Sequence, residues 1–221
     1  VEAIRQGRVI FSNIRKFIIY LLSCNLSEIL IVGLATLFIS GPLPLLPLQI
    51  LFLNLVTDVF PALALGLGPG DEGVLTRPPR DPDEPIVTRT HWLSIGAYGL
   101  LITLAVLTAF GIALYGLELQ GNGPVTISFL TLAFAQLWHV VNMRAANSRL
   151  LINQVTRNPY VWGALLLCIT LTLLAIYVHP IAVVLHIEPP SLTSWLLILG
   201  MSFVPVVGGS LLKLISRASR D

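Results

Sequence analysis

Long apolar stretches alternate with polar connections along this chain of 221 residues. Six of them fall at about 17–39, 47–67, 92–115, 125–143, 159–179 and 192–212. A helix needs roughly 20 apolar residues to cross the hydrocarbon of a bilayer, and each stretch is near that length. The pattern predicts an all-α polytopic membrane protein with six transmembrane helices spanning 17–212. Residues 1–16 are polar but carry Ile4, Val9, Ile10, Phe11 and Ile14, so a helix is expected to run through them into the first span. The only long connection is 68–91. Pro69, Pro78, Pro79, Pro82 and Pro85 stiffen it, and Asp71, Glu72, Asp81, Asp83 and Glu84 charge it. Such a segment is extended rather than helical. It reads either as a solvated linker or as a docking surface for a cytoplasmic partner domain.

Composition supports the membrane reading. Hydrophobic residues make up 55% of the chain and charged residues only 11%, where a soluble domain carries about 25% charged residues. The mean hydropathy is +0.86. Charge then sets the expected topology. All 13 Lys and Arg lie before the first span, between the second and third, between the fourth and fifth, or after the sixth. The connections 40–46, 116–124 and 180–191 hold none. By the positive-inside rule both termini, the loop 68–91 and the tail 213–221 are expected in the cytoplasm. Residues 1–16 then form a cytoplasmic stalk. The chain opens on Val1 and shows no signal peptide, so it is expected to be the tail of a larger protein. The lipid bilayer is the implied environment, and no nucleic-acid partner is expected.

Two acids break the apolar pattern. Glu28 stands in the first span and Asp58 in the second, and the other nine Asp and Glu lie outside the spans. An ionised carboxylate at mid-bilayer costs at least about 2.5–3.5 kcal/mol, so it usually faces a cavity, a proton path or a bound cation. Each acid has polar company at helical spacing. Asn25 precedes Glu28 by three residues, Asn54 precedes Asp58 by four, and Thr57 adjoins Asp58. Pro61 follows Thr57 by four positions. It has no N–H to give the Thr57 carbonyl, so an irregular helix is expected at about 57–61.

Carboxylate, carboxamide and hydroxyl oxygens suit a hard cation such as calcium, with magnesium or manganese as weaker matches. The bland alternative is an interhelical hydrogen-bond cluster, such as Asn25 with Asp58. Two adjacent carboxylates repel, however, unless one is protonated or a cation lies between them. Cys24 and Cys168 lie within spans and read as buried free thiols rather than a disulfide framework.

The run Leu51-Phe-Leu-Asn54-Leu-Val-Thr57-Asp58-Val-Phe-Pro61-Ala-Leu-Ala-Leu-Gly66 resembles the sixth membrane helix of P-type cation-transporting ATPases of the calcium-pump class. Asn13-Ile-Arg-Lys-Phe17 through Ser23-Cys-Asn25-Leu-Ser-Glu28 resembles their fifth, and Arg77-Pro-Pro-Arg80 resembles the following loop in bacterial members. The resemblance implies membrane helices five to ten of such a pump, in a bacterial plasma membrane. It implies calcium ligands at Asn25, Glu28, Asn54, Thr57 and Asp58. The expected partner is the N-terminal half: actuator, phosphorylation and nucleotide domains and helices one to four, where ATP and Mg2+ would act.

No Asp-Lys-Thr-Gly phosphorylation motif occurs in these residues, and the only lysines are Lys16 and Lys213. No Gly-rich nucleotide loop occurs either. The chain by itself is therefore expected to be inactive toward ATP. Gln136 aligns with a position that holds Glu in two-site calcium pumps, which makes it a possible further ligand without charge. The alternatives are a free-standing membrane scaffold that transports nothing, and a passive cation channel. His139 reads as a packed interhelical histidine. Trp92, Tyr115, Trp138, Tyr160, Tyr177 and Trp195 read as interfacial anchors, and Asn142, Asn147 and Asn153 as ordinary cytoplasmic-side polar residues.

Overall fold

A computed structural model describes residues 2–39, 41–69, 85–145 and 153–218 of the chain. Most of the loop 68–91 lies outside these residues, with Arg77-Pro-Pro-Arg80 and Asn147. Among the described residues every regular element is helical, and six helices are long and apolar enough to cross a membrane. They are α1 (Glu2–Phe38), α2 (Pro47–Gly66), α3 (Arg89–Gly116), α4 (Gly123–Met143), α5 (Pro159–Tyr177) and α7 (Leu192–Ala218). A short helix, α6 (His179–Leu185), sits between α5 and α7.

At 37 residues α1 is about 55 Å long, well beyond the ~30 Å hydrocarbon thickness of a bilayer. Its buried residues Asn13, Tyr20, Cys24, Ser27, Ile31 and Ala35 step by three, four or seven, with Glu28 four after Cys24, so they form one stripe along the helix. That stripe packs against α3 and the C-terminal half of α2. Gly99 makes the α1–α3 approach possible: a Cβ there would lie 3.1 Å from a Leu26 methyl.

α4 is the centre of the bundle, buried from Gly123 through Leu137 without a break. It is apolar nearly all round, as an enclosed helix must be. Its hydroxyls are mostly spent on its own backbone: Thr126 donates to the Asn122 carbonyl at 2.8 Å and Ser128 to that of Pro124 at 3.1 Å. α7 packs along α4 and α3. Gly209 admits Asn142 so closely that a Cβ would meet its carboxamide at 2.7 Å.

Side chains clamp the polar ends of the helices. Asn13 of α1 donates to the carbonyls of Gly66 and Gly68 at 3.2 and 2.7 Å, and Asn158 donates to that of Ala64 at 2.8 Å. Ala64 and Gly66 are in the last turn of α2, where carbonyls have no amide partner within the helix, and Gly68 lies just beyond it. Arg15 donates to the Ile86 carbonyl at 2.9 Å, and Lys213 to the carbonyls of Asn142 and Arg144 at 2.5 and 2.6 Å.

α2 is not uniform. It is α-helical over Pro47–Phe52, π-helical over Leu53–Asp58 and α-helical again over Val59–Gly66. The irregular stretch therefore begins a turn before the expected 57–61 and ends at Asp58. The helix absorbs the missing amide of Pro61 by widening the preceding turn, and Pro61 itself lies inside regular helix.

Candidate cation site

Glu28 and Asp58 come together at mid-bundle, both almost fully buried, with 4% and 1% of their surface exposed. Glu28 is the more fully engaged. Asn54 Nδ2 of α2 donates to Glu28 Oε2 at 2.9 Å, and Gln136 Nε2 of α4 donates to Glu28 Oε1 at 2.9 Å. An ionised carboxylate only accepts, so both carboxamides present their NH2 groups to it. Gln136 Oε1 in turn accepts the Thr57 hydroxyl at 2.9 Å. One carboxylate thus joins three helices whose residues are far apart in sequence.

Asp58 is the opposite case. Both of its carboxylate oxygens are buried and neither accepts a hydrogen bond of good geometry, the Cys24 thiol being a weak donor beside it. It lies within electrostatic reach of Glu28. Buried polar atoms in native proteins are nearly always satisfied, and an orphaned pair on a carboxylate calls for a missing proton or cation. Among the described residues no three His, Cys, Asp or Glu side chains gather in a metal-binding group. The chemistry on offer is two carboxylates plus neutral oxygens from Asn54, Thr57 and Gln136, a donor set for a hard cation.

A family model described as "Cation transporting ATPase, C-terminus" matches residues 42–215. A calcium-transporting ATPase of Bacillus subtilis (strain 168) is 41% identical over 96% of the chain and 24% of its own length. An endoplasmic reticulum-type calcium-transporting ATPase of Arabidopsis thaliana is 31% identical over 98% of the chain and 24% of its own length. The chain belongs to the C-terminal membrane region of the P-type cation-transporting ATPases. It spans about a quarter of the length of these relatives.

Within this ATPase membrane region the six residues expected from the sequence do not all meet. Glu28, Asn54, Thr57 and Gln136 form one connected network, with Asp58 beside it. Asn25 is half-buried and donates to the Leu21 carbonyl of its own helix at 2.9 Å rather than to either acid.

Several residues of the surroundings were not singled out by sequence. Tyr20 is fully buried, and its hydroxyl bridges the backbone carbonyls of Thr57 at 3.1 Å and Gln136 at 3.2 Å. The signal for it is spacing: Tyr20, Cys24 and Glu28 are each four residues apart on α1. Cys168 Sγ of α5 donates to the Val56 carbonyl at 3.0 Å. Both cysteines are free and buried.

His139 is a packed histidine, stacked on Tyr20 with centroids 5.8 Å apart and edge-on to Tyr98 at 4.8 Å. Its Nδ1 meets Asn142 Nδ2 at 3.2 Å. Asn142 is more than an ordinary polar residue at a span end: it is buried and also donates to the Pro205 carbonyl at 3.0 Å, tying α4 to α7. Trp138 and Trp195 likewise join an aromatic cluster with Phe203 and Phe134, whereas Trp92, Tyr115, Tyr160 and Tyr177 are exposed as anchors would be.

Proposed function

We propose that this region binds and translocates calcium as part of an ATP-driven P-type pump. Glu28, Asp58, Asn54, Thr57 and Asn25 supply oxygen ligands, and Gln136 contributes a neutral carbonyl. The observation that carries the reading is the contrast at the centre of the bundle. Glu28 is held by donors from two other helices, while Asp58 lies beside it with both oxygens buried and without a hydrogen bond of good geometry. A divalent cation between the two acids would satisfy Asp58 and cancel their repulsion. Calcium takes about 6–8 oxygens, so further ligands would come from helices outside these residues. Magnesium and manganese fit less well, since magnesium demands a tighter octahedron and sheds water reluctantly. The calcium-transporting relatives agree with this choice.

On this reading ATP and Mg2+ act in actuator, phosphorylation and nucleotide domains of an N-terminal half, which also carries membrane helices one to four. Both termini face the cytoplasm of a bacterial cell, and 1–16 is the stalk. The loop 68–91 faces the phosphorylation domain. To serve as ligands, Asn25 must release the Leu21 carbonyl, and Asn54 and Gln136 must turn oxygens toward the ion. The test is ATP-driven uptake of labelled calcium into liposomes containing the full-length protein. Uptake is expected to require ATP and to vanish in Asp58→Asn and Glu28→Gln. Uptake without ATP would mark a channel, and a protein that binds no calcium would mark a scaffold.

A further inference from the structure

Pro61 leaves two backbone oxygens in question, not one. In an α-helical register its missing N–H belongs opposite the Thr57 carbonyl, four residues back. In a π-helical register, such as that of Leu53–Asp58, it belongs opposite the Val56 carbonyl, five residues back. Both carbonyls lie at membrane depth, where no bulk water can satisfy them. Each meets a side-chain donor from a different helix. The Tyr20 hydroxyl of α1 donates to Thr57 at 3.1 Å, and the Cys168 thiol of α5 donates to Val56 at 3.0 Å. Both donors are fully buried. Neither is a candidate ligand, and neither feature was needed to build the site.

We propose that Tyr20 and Cys168 are positioning residues of the cation site: Pro61 withholds one amide donor, from the Thr57 or the Val56 carbonyl according to register, and the two side chains give each carbonyl a donor and so hold the π-helical turn of α2 in register. The register matters because a π turn carries one residue more than an α turn. Relaxation of Leu53–Asp58 to α-helix would rotate Asp58 by about 100° relative to Pro47–Phe52. Asn54, Thr57 and Asp58 would then no longer face Glu28 together. The single Tyr20 O–H is shared between the Thr57 carbonyl and that of Gln136, 3.2 Å away, so the same hydroxyl keeps α4 against the turn. The inference rests on reading Glu28 and Asp58 as cation ligands.

The test uses the full-length pump and calcium-activated ATP hydrolysis. Cys168→Ala and Tyr20→Phe are each expected to raise the half-saturating calcium concentration about tenfold, the scale of one hydrogen bond lost at a buried carbonyl. Maximal rate should stay within about twofold, because the change acts on binding geometry. Cys168→Ser keeps a donor and should restore half-saturation to within about twofold of the parent.

Pro61→Ala gives the Thr57 carbonyl a backbone donor of its own. In that background Tyr20→Phe should have little further effect, a non-additivity that a general packing role would not produce. Additive effects of the two, or a lower maximal rate at unchanged half-saturation, would overturn the proposal. Asp58→Asn separates it from the reading beneath it. If that variant keeps normal calcium activation, the ligand assignment fails and the positioning role with it. If it abolishes activation while Cys168→Ala and Tyr20→Phe leave half-saturation unchanged, only the positioning role fails.

Discussion

Gln136 Nε2 donates to Glu28 Oε1 at 2.9 Å, joining α4 to α1 across 108 positions of sequence. The contact neutralises nothing, because a carboxamide carries no charge, but it orients the carboxylate and pins it to the most buried helix of the bundle. Gln136 and Glu28 therefore have different weights in binding. Removing the amide removes one hydrogen bond and one neutral oxygen, whereas removing a carboxylate removes the charge that pays the ion's desolvation. Gln136→Ala is expected to weaken calcium binding about tenfold, and Asp58→Asn to abolish it, measured by equilibrium binding of labelled calcium to the full-length protein.

The same residue bears on ion number. Two divalent ions bring four positive charges into a low-dielectric site, and uncompensated buried charge is costly. This region supplies Glu28 and Asp58, and the resemblance to calcium pumps implies one more Glu on the fourth membrane helix of the whole pump. A single calcium per cycle matches that charge, with carboxylate left over for a countertransported proton. The expected Hill coefficient for calcium activation is near one, and equilibrium binding that returns two ions per molecule would sink the single-site reading.

Energy coupling is expected to come from outside these residues. They hold no Asp-Lys-Thr-Gly motif and no Gly-rich nucleotide loop. The purified 221-residue chain is expected to form no phosphoenzyme. An acid-stable labelled band after incubation with radioactive ATP would contradict this.

Gly209 provides a stability test that should leave transport chemistry alone. A methyl group there would lie 2.7 Å from the Asn142 carboxamide, which is held by its bonds to His139 and the Pro205 carbonyl. Gly209→Ala should cost about 1–3 kcal/mol through overpacking. Thermal unfolding of the detergent-solubilised protein should show a lower midpoint, with calcium half-saturation in the surviving fraction unchanged.

Much of this protein is written in order along the chain. Runs of apolar residues decide that six helices cross a membrane, because the bilayer demands a fixed length of apolar surface and internal backbone pairing. Glu28, Asp58 and their neighbours Asn54 and Thr57 were legible for the same reason: a charge or carboxamide in hydrocarbon is costly enough to stand out against its surroundings. What no local pattern carries is which distant groups meet. That Gln136 rather than Asn25 joins Glu28, that Asp58 is left unpartnered, and that Asn142 ties α4 to α7 all depend on how α1, α2, α4 and α7 pack. Pro61 announces a break in α2, but its form as a π-helical turn over Leu53–Asp58 depends on donors brought by Tyr20 and Cys168 from two other helices. A residue's cost of burial can be read from its own chemistry; the partner that relieves it is chosen by tertiary structure, because hydrogen bonds reach only about 3 Å and the chain must fold before such neighbours exist.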